Sequence, residues 1–200
     1  MYVALEGIDT CGKSTQITLL KSHYPDAIFT KEPGGSVLGE AIRELVLFTP
    51  QKAGFALDKY AEAFLFLADR AQHYTQVLSP NMDKLIITDR SVISGIAYAK
   101  DIDIEQSIEL NRYALRGCFP DLVVILELDR VQLQERLAQK AQDSIESRGI
   151  EYMLEIQNRL VCVVKQIGLE HIVINANKPR EEICTEIKTY IDRIFMDSQK

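Results

Sequence analysis

The sequence has no apolar run near the ~20 residues that a membrane-spanning helix requires, so we expect a soluble protein with no membrane partner. Its N-terminus lacks a basic region followed by an apolar core and a cleavage site, and no signal peptide is expected. Basic side chains are also few, 23 against 29 acidic ones, giving a net charge of −6. Such a chain offers nucleic acid no broad attractive field and no basic stripe interleaved with aromatic residues, so we expect no nucleic-acid partner.

Cysteine is scarce, and its spacing excludes two common kinds of site. The four cysteines form no CxxC pair and lie far apart, at Cys11, Cys118, Cys162 and Cys184. This spacing fits neither a zinc site nor a disulfide scaffold. We therefore expect free thiols in a reducing compartment, and the protein is predicted to be cytoplasmic.

The remaining composition is that of one ordinary globular domain. The chain has 200 residues, 46% of them hydrophobic and 26% charged, which suits a single domain over residues 1–200. Short apolar segments alternate with longer segments of helical periodicity, a pattern typical of an α/β fold with a parallel sheet. Strands are predicted at Tyr2–Leu5, Ala27–Thr30, Leu85–Thr88, Leu122–Leu128 and His171–Ile174. Helices are predicted near 13–23, 36–48, 57–79, 91–116, 130–141, 147–167 and 180–196.

The first predicted strand leads directly into a phosphate-binding loop. Its sequence is Gly7-Ile8-Asp9-Thr10-Cys11-Gly12-Lys13-Ser14-Thr15, which contains G-x-x-x-x-G-K-S between a strand and a helix. The two glycines allow a nest of backbone N–H groups around phosphate oxygens, and the helix N-terminus adds its dipole. We expect this loop to bind the phosphates of ATP, with Lys13 at the β- and γ-phosphates and Ser14 as a Mg²⁺ ligand.

A GTP-binding switch is disfavoured because no guanine-binding motif is present. The nearest match to Asn-Lys-x-Asp is Asn177-Lys178-Pro179-Arg180, which lacks the acidic residue. We predict that this segment is a loop before the last helix.

Further motifs identify the family that the chain resembles. They are Thr30-Lys31-Glu32-Pro33-Gly34-Gly35, the segment Leu65–His73, and Thr88-Asp89-Arg90-Ser91 with Ser94 and Tyr98 beyond it. Together with Leu5-Glu6-Gly7-Ile8-Asp9, they resemble the thymidylate kinase family over residues 2 to about 152. The resemblance implies a three-layer P-loop NTPase-type fold with a five-stranded parallel sheet flanked by helices. It also implies a homodimer that phosphorylates dTMP to dTDP with ATP and Mg²⁺, in dTTP synthesis.

The resemblance places thymine against one helix. Phe66 would stack on the base, and Arg70, one turn away on the same face, would donate to a thymine carbonyl oxygen. Core packing is the alternative for Phe66, and a surface ion pair with Glu62 or Asp69 is the alternative for Arg70. His73, a further turn along, is a weaker candidate for the pocket.

Two arginines resemble those that hold the phosphate of dTMP in this family. Arg43 and Arg90 each offer a guanidinium fork that cannot lose its charge, although each could instead be a structural salt-bridge partner. Pro33 would brace the base pocket and Tyr98 would lie under the deoxyribose. Ser94 completes the predicted dTMP-binding set.

Three oxygen-bearing side chains are candidates for the metal. Asp89 ends a buried strand, where a carboxylate without a partner is costly to desolvate. Mg²⁺, or Ser14 and Lys13 as neighbours, would satisfy it. By the resemblance, Asp9 is expected near the metal and at the sugar 3′-hydroxyl, while Glu6 is expected to position Arg90.

The arginine that neutralises the transferring phosphoryl group is predicted to come from a mobile lid at 139–149. The phosphate loop has no basic residue among its variable positions 8–11, and the family's Asp-Arg-Ile-Glu appears here as Asp143-Ser144-Ile145-Glu146. Candidates are Arg136, Lys140 and Arg148; we favour the first two, which lie four apart on one helical face, over a solvated charged surface. The predicted catalytic residues are Lys13, Arg90, Asp9, Arg136 and Lys140.

Some questions stay open at the sequence level. The family usually has a polar side chain where this chain has Gly95, so base recognition would depend on Arg70, Gln72, a backbone group or water. Other functions considered are a P-loop kinase for another pyrimidine (deoxy)nucleotide and a catalytically weak nucleotide-binding regulator. A dimer interface is expected on the apolar face of the 57–79 helix, which could equally be core: Ala61, Phe64, Leu65 and Ala68.

Overall fold

The five predicted strands form one parallel sheet. The computed structural model of the chain describes residues 1–138 and 149–197. The strands are β1 (Tyr2–Gly7), β2 (Ile28–Lys31), β3 (Ile86–Asp89), β4 (Leu122–Glu127) and β5 (His171–Asn175), and their order in the sheet is β2-β3-β1-β4-β5. All the strand pairings are parallel, which confirms the predicted fold class. Short apolar runs are typical of the strands of such sheets.

Nine helices lie within the described residues. They are α1 (Lys13–His23), α2 (Val37–Leu47), α3 (Thr49–Ala53), α4 (Lys59–His73), α5 (Val92–Tyr98), α6 (Ile104–Ala114), α7 (Arg130–Ala138), α8 (Ile150–Ile167) and α9 (Arg180–Asp197). A π-helical turn (Tyr74–Leu78) and a 3₁₀ turn (Ser79–Asn81) continue α4. The segment Asn177–Arg180 leads into α9 from a turn, as predicted.

The predicted helix at 91–116 is wrong as a single element, since the chain forms α5 and α6 there. α5 ends at Tyr98, and Asp103 begins the next helix by accepting hydrogen bonds from the N–H groups of Glu105 and Gln106, both at 3.0 Å. An aspartate at this position satisfies N–H groups that lack a partner within the helix. The short helix α3 was also not predicted.

The sheet separates two hydrophobic layers, which gives the predicted three-layer arrangement. On one face Leu5 packs in a cluster with Leu20 of α1 and Ile187 of α9. On the other face Ile125 packs in a cluster with Ile93 of α5. Neighbouring side chains along a strand point to opposite faces, so β1 and β4 contribute to both clusters. No helix in the described parts of the chain is long and apolar enough to cross a membrane.

The sheet register fixes where the functional loops meet. Leu5 of β1 lies opposite Asp89 of β3, and Gly7 lies opposite Leu126 of β4. All strands are parallel, so their carboxyl ends share one edge. The loops after β1, β2 and β3 therefore converge at that edge, which is the usual ligand-binding edge of an open α/β sheet.

Candidate active site

The predicted phosphate loop connects β1 to α1 and requires its glycines. Gly7 and Gly12 have φ of 145° and 103°. A Cβ at Gly7 would lie 2.6 Å from Sγ of Cys11 and 2.7 Å from the carbonyl oxygen of Leu126, so no larger residue fits. The Lys13 ammonium donates to the carbonyls of Gly7 and Ile8, both at 3.0 Å, and is thereby held against the loop.

A polar cleft of about 530 Å³ opens beside this loop. Its lining combines five cationic side chains with three carboxylates, which favours the binding of an anion. The lining residues are Asp9, Thr10, Gly12, Lys13, Ser14, Thr15, Lys31, Glu32, Arg43, Asp89, Arg90 and Arg136. Ten predicted residues from four separate segments thus meet in one cleft: Asp9, Thr10, Gly12, Lys13, Ser14 and Thr15 of the phosphate loop and the start of α1, Arg43 of α2, Asp89 and Arg90 at the end of β3, and Arg136 of α7.

Arg90 is held from several directions at the edge of the sheet. Its Nη1 donates to the carbonyl of Gly7 and to Oγ of Ser94, both at 3.1 Å, and its Nη2 donates to Oδ1 of Asp9. The guanidinium carbon lies 5.5 Å from the centre of the Tyr98 ring, and burial raises the pKa of Tyr98 to about 12. Arg90 therefore makes the salt bridge that was the alternative prediction and also lines the cleft.

Glu6 contacts two serines rather than Arg90 itself. The carboxylate is fully buried and accepts hydrogen bonds from Oγ of Ser91 at 2.7 Å, from the Ser94 backbone N–H at 3.2 Å and from Oγ of Ser94. Burial raises the pKa of Glu6, even though Ser94 and Arg90 act in the opposite direction. Glu6 is therefore connected to Arg90 through the Ser94 hydroxyl, which accepts from Arg90 and donates to Glu6, and not by direct contact.

The loop after β2 holds the second predicted arginine. Nη1 of Arg43 donates to the carbonyl of Pro33 at 3.1 Å, and Pro33 follows a cis peptide bond. The N–H of Gly34 donates to Oδ1 of Asp69 at 3.2 Å. These contacts tie the loop to α2 and α4 and leave Arg43 lining the cleft.

Arg70 lies in a buried network and not on the surface. It is 5% exposed, its Nε donates to Oε2 of Glu32 at 3.1 Å, and its Nη1 donates to Oδ1 of Asn111 at 3.0 Å. The alternative of a surface ion pair with Glu62 or Asp69 is therefore wrong. Phe66, one turn earlier on α4, is half-buried.

His73 belongs to the same network, so its predicted place in the pocket lining is wrong. The ring is fully buried, with Nδ1 at 3.0 Å from Oε1 of Glu32 and Nε2 at 2.8 Å from Oγ1 of Thr30. Burial by itself would raise the pKa of Glu32. The hydrogen bond from His73 and the charge of Arg70 outweigh burial and hold that pKa below its usual value.

Asp89 is the side chain best suited to a metal. Its Oδ1 is buried and has no hydrogen-bond partner, and it lines the same cleft as Ser14. Within residues 1–138 and 149–197, no group of three or more His, Cys, Asp or Glu side chains could hold a metal without other ligands. Mg²⁺ bound with a nucleotide takes most of its ligands from phosphates and water, so Asp89 and Ser14 fit it, whereas Asp9 pairs with Arg90.

Arg136 connects α7 to the phosphate loop. Its Nη1 donates to the carbonyl of Thr10 at 2.9 Å and its Nη2 to the carbonyl of Ala176 at 2.7 Å. The favoured lid candidate thus lies beside the loop. Lys140, Arg148 and the segment Asp143–Glu146 fall outside the described residues, as does the predicted lid apart from Gly149.

Sequence reasoning missed three residues of the site. Lys31 and Glu32 belong to the motif Thr30–Gly35, from which no role was predicted for them. Asn111 lies in no motif and reaches Arg70 only through the packing of α6 on α4. Only the folded geometry could have found it.

The predicted interface face is partly exposed. Phe64 is 57% exposed, Ala68 is exposed, and Ala61 and Leu65 are half-buried. Tyr60, one turn before Phe64, is also 57% exposed. α4 therefore presents large apolar side chains on its outer face.

The chain matches known proteins over most of its length. The model of the family described as "Thymidylate kinase" matches residues 5–187. A thymidylate kinase of Helicobacter hepaticus is 66% identical over 192 residues, covering 96% of this chain and 98% of that protein. One from Wolinella succinogenes is 53% identical over 183 residues, covering 92% and 94%.

A solved structure shares the fold. The crystal structure of thymidylate kinase from Ehrlichia chaffeensis superposes with a TM-score of 0.75, at 24% identity, covering 96% of this chain and 98% of that one. The family model matches most of the chain, and the relatives from Helicobacter hepaticus and Wolinella succinogenes are 66% and 53% identical to it. The chain therefore belongs to the thymidylate kinase family.

Proposed function

We propose that this chain, a kinase by its family, transfers the γ-phosphoryl group of ATP to dTMP and forms dTDP. One observation carries the proposal. The phosphate loop and a pair of guanidinium groups, Arg43 and Arg90, face the same cleft, so two phosphate groups can be bound side by side. A nucleoside without a phosphate would leave these two arginines without a ligand.

The phosphate-binding groups are divided between the two nucleotides. The N–H groups of residues 7–15 and the Lys13 ammonium would surround the phosphates of ATP. Arg43 and Arg90 would bind the phosphate of dTMP, which their planar forks suit. The accepting phosphate oxygen is already anionic, so positioning and charge neutralisation suffice and no general base is needed.

The base and sugar of dTMP would lie toward α4 and α5. Phe66 would stack on thymine, Arg70 would donate to a thymine carbonyl oxygen, and Tyr98 would pack against the deoxyribose. Pro33 would shape the base pocket. The Arg90 guanidinium, which lies over the Tyr98 ring, would join the sugar side of the pocket to the phosphate side.

Magnesium belongs to the same proposal. Ser14 and Asp89 would hold it, and the orphaned Oδ1 of Asp89 is the observation that supports this. When bound there, Mg²⁺ would supply positive charge against the phosphate groups. Asp9 would orient Arg90 and lie near the sugar 3′-hydroxyl.

Arg136 is the best-placed side chain to neutralise the transferring group. It already contacts the loop carbonyl of Thr10, and a short movement would bring its charge onto a bound phosphate. A catalytic role for Lys140 stays a prediction.

A single catalytic domain, a homodimer and a cytoplasmic location complete the proposal. All five strands lie in one sheet, and the family model covers most of the chain. Exposed Tyr60 and Phe64 on α4 support an interface between two copies. All four cysteines are free thiols, which suits a reducing compartment.

Replacement of Arg43 and of Arg90 tests whether these arginines bind the phosphate of dTMP while the phosphate loop binds ATP. In Arg43→Met and Arg90→Met, we expect the KM for dTMP to rise about 100-fold, because each variant loses charge-assisted hydrogen bonds worth about 1.5–3 kcal/mol. The KM for ATP should change little. The control is Lys52→Met, which removes an exposed lysine of α3 that pairs with Glu44 and should leave both KM values unchanged. A rise in the KM for ATP alone would show that the two phosphate sites are wrongly assigned.

A further inference from the structure

We propose that Asn111 and Gly95 set the nucleobase specificity of this kinase by fixing the Arg70 guanidinium in one position. Asn111 is a positioning residue, since it acts on the substrate only through Arg70. The inference rests on the proposed dTMP site and names the part of that site that discriminates between pyrimidines.

The orientation of the Asn111 amide is defined by its two contacts. The side chain is 4% exposed, and its Nδ2 donates to the carbonyl of Ser107 at 2.7 Å. Because a carbonyl can only accept, the amide NH₂ must face Ser107. The oxygen Oδ1 therefore faces Arg70, where it accepts from Nη1 at 3.0 Å.

Two elements then fix two different nitrogens of Arg70. Glu32, after β2, accepts from Nε at 3.1 Å, and Asn111, on α6, accepts from Nη1. A guanidinium is planar, so contacts at two of its nitrogens determine where the third lies. Nη2 makes no hydrogen bond with any described residue, and it is the nitrogen left for a ligand.

Gly95 provides the space that Nη2 occupies. A Cβ at this position would lie 1.9 Å from Nη2 and 2.5 Å from Cζ of Arg70. Any side chain here would displace the guanidinium. The polar group expected at this position from the family resemblance is therefore replaced by the arginine itself, which Asn111 supports from α6.

A guanidinium held in this way selects an acceptor. Arg70 is 5% exposed, and a buried N–H without an acceptor is costly. A pyrimidine with a carbonyl at C4, such as thymine or uracil, supplies the acceptor. Cytosine presents an amino group there, which is a donor and would face Nη2 unfavourably.

An amide suits position 111 better than a carboxylate. Glu32 already balances the charge of Arg70, and Asp69, also buried, lies beside Arg70 in the sequence. A further carboxylate would add uncompensated negative charge in a dry region. Asn111 supplies an acceptor oxygen without that charge, which gives the experiment two contrasting variants.

The experiment measures kcat/KM for dTMP, dUMP and dCMP in the full-length protein. Asn111→Leu keeps the approximate volume and removes the acceptor, and we expect the ratio of kcat/KM for dTMP over dCMP to fall about tenfold. The KM for ATP should stay unchanged. Asn111→Asp keeps an acceptor oxygen at a cost in stability, and we expect it to retain most of the ratio. Ile108→Val, on the same helix and similarly buried, should retain all of it.

Gly95→Ala tests the same arrangement from α5, and serves if the leucine variant does not fold. Its Cβ should push Nη2 away and lower the ratio as Asn111→Leu does. Arg70→Met separates this inference from the proposed site. If Arg70→Met lowers the ratio while Asn111→Leu and Gly95→Ala both leave it within about twofold of wild type, the positioning role is wrong and the base site stands. An unchanged ratio in Arg70→Met would overturn the base site and the inference together.

Discussion

Glu32 contacts two other buried side chains of the site through its carboxylate. Its two carboxylate oxygens accept from Arg70 and His73 separately, and all three side chains are at least nine-tenths buried. Removing one member of a buried pair leaves the other charge uncompensated. We therefore regard Glu32 as the residue that holds Arg70 and the loop after β2 in place.

Glu32→Gln should lower the free energy of unfolding by about 3–5 kcal/mol at pH 7. The native pKa of Glu32 lies below its usual value of 4.5, so the ionised form stabilises the folded state above that pH. As the pH falls below 4.5 and through the native pKa, wild type loses this contribution, and the difference between the two proteins should shrink. Urea unfolding of both proteins, from pH 7 down to the lowest pH at which they fold, measures this difference in the free energy of unfolding. A difference that grew toward acid pH would show that the sign is wrong.

The sequence could place the residues of the site but not all their partners. The family resemblance predicted a base-binding role for Arg70, while its contacts with Glu32 and Asn111 join positions 38 and 41 residues away. No local pattern reports such a contact. Gly95 likewise stood out as a departure from the family, and only the packing against Nη2 shows its purpose.

Among the elements, the strands were predictable because each is a short apolar run, and the three central strands β1, β3 and β4 are buried on both faces. The boundary between α5 and α6 was not, because both helices carry apolar residues at helical spacing. Asp103, a good helix-capping residue, was the only local sign of a new helix. The place of α6 matters for function, since it carries Asn111.

Helix α7 matters because it presents Arg136 to the phosphate loop. Arg136→Met should lower kcat about 10³-fold, the order of effect typical of an arginine that neutralises a transferring phosphoryl group. Arg130→Met is the matched control, because Arg130 lies on the same helix and pairs with Glu151 at the surface. The measurement is steady-state ADP formation at saturating ATP and dTMP.

A kcat of Arg136→Met within about threefold of wild type would show that a residue other than Arg136 neutralises the transferring phosphoryl group. An equal loss in both variants would instead point to disruption of α7. A catalytic role for Arg136 requires the loss in Arg136→Met alone.

At the scale of the whole molecule, the exposed apolar face of α4 predicts a homodimer. Phe64→Glu should convert the protein to a monomer, because a charge buried in an apolar interface without a partner is costly. Val131→Glu is the control, an exposed apolar residue on α7 that is 60% accessible. Light scattering after size-exclusion chromatography measures the mass of each. A monomeric wild type at micromolar concentration would contradict the predicted interface.

The most direct test of the whole account is ADP formation from ATP and Mg²⁺ with dTMP, dUMP, dCMP, UMP and thymidine offered in parallel. We expect rapid turnover with dTMP, little with dCMP, and none with thymidine, because thymidine has no phosphate for Arg43 and Arg90. A preference for thymidine, or no turnover with any acceptor despite tight ATP binding, would contradict it.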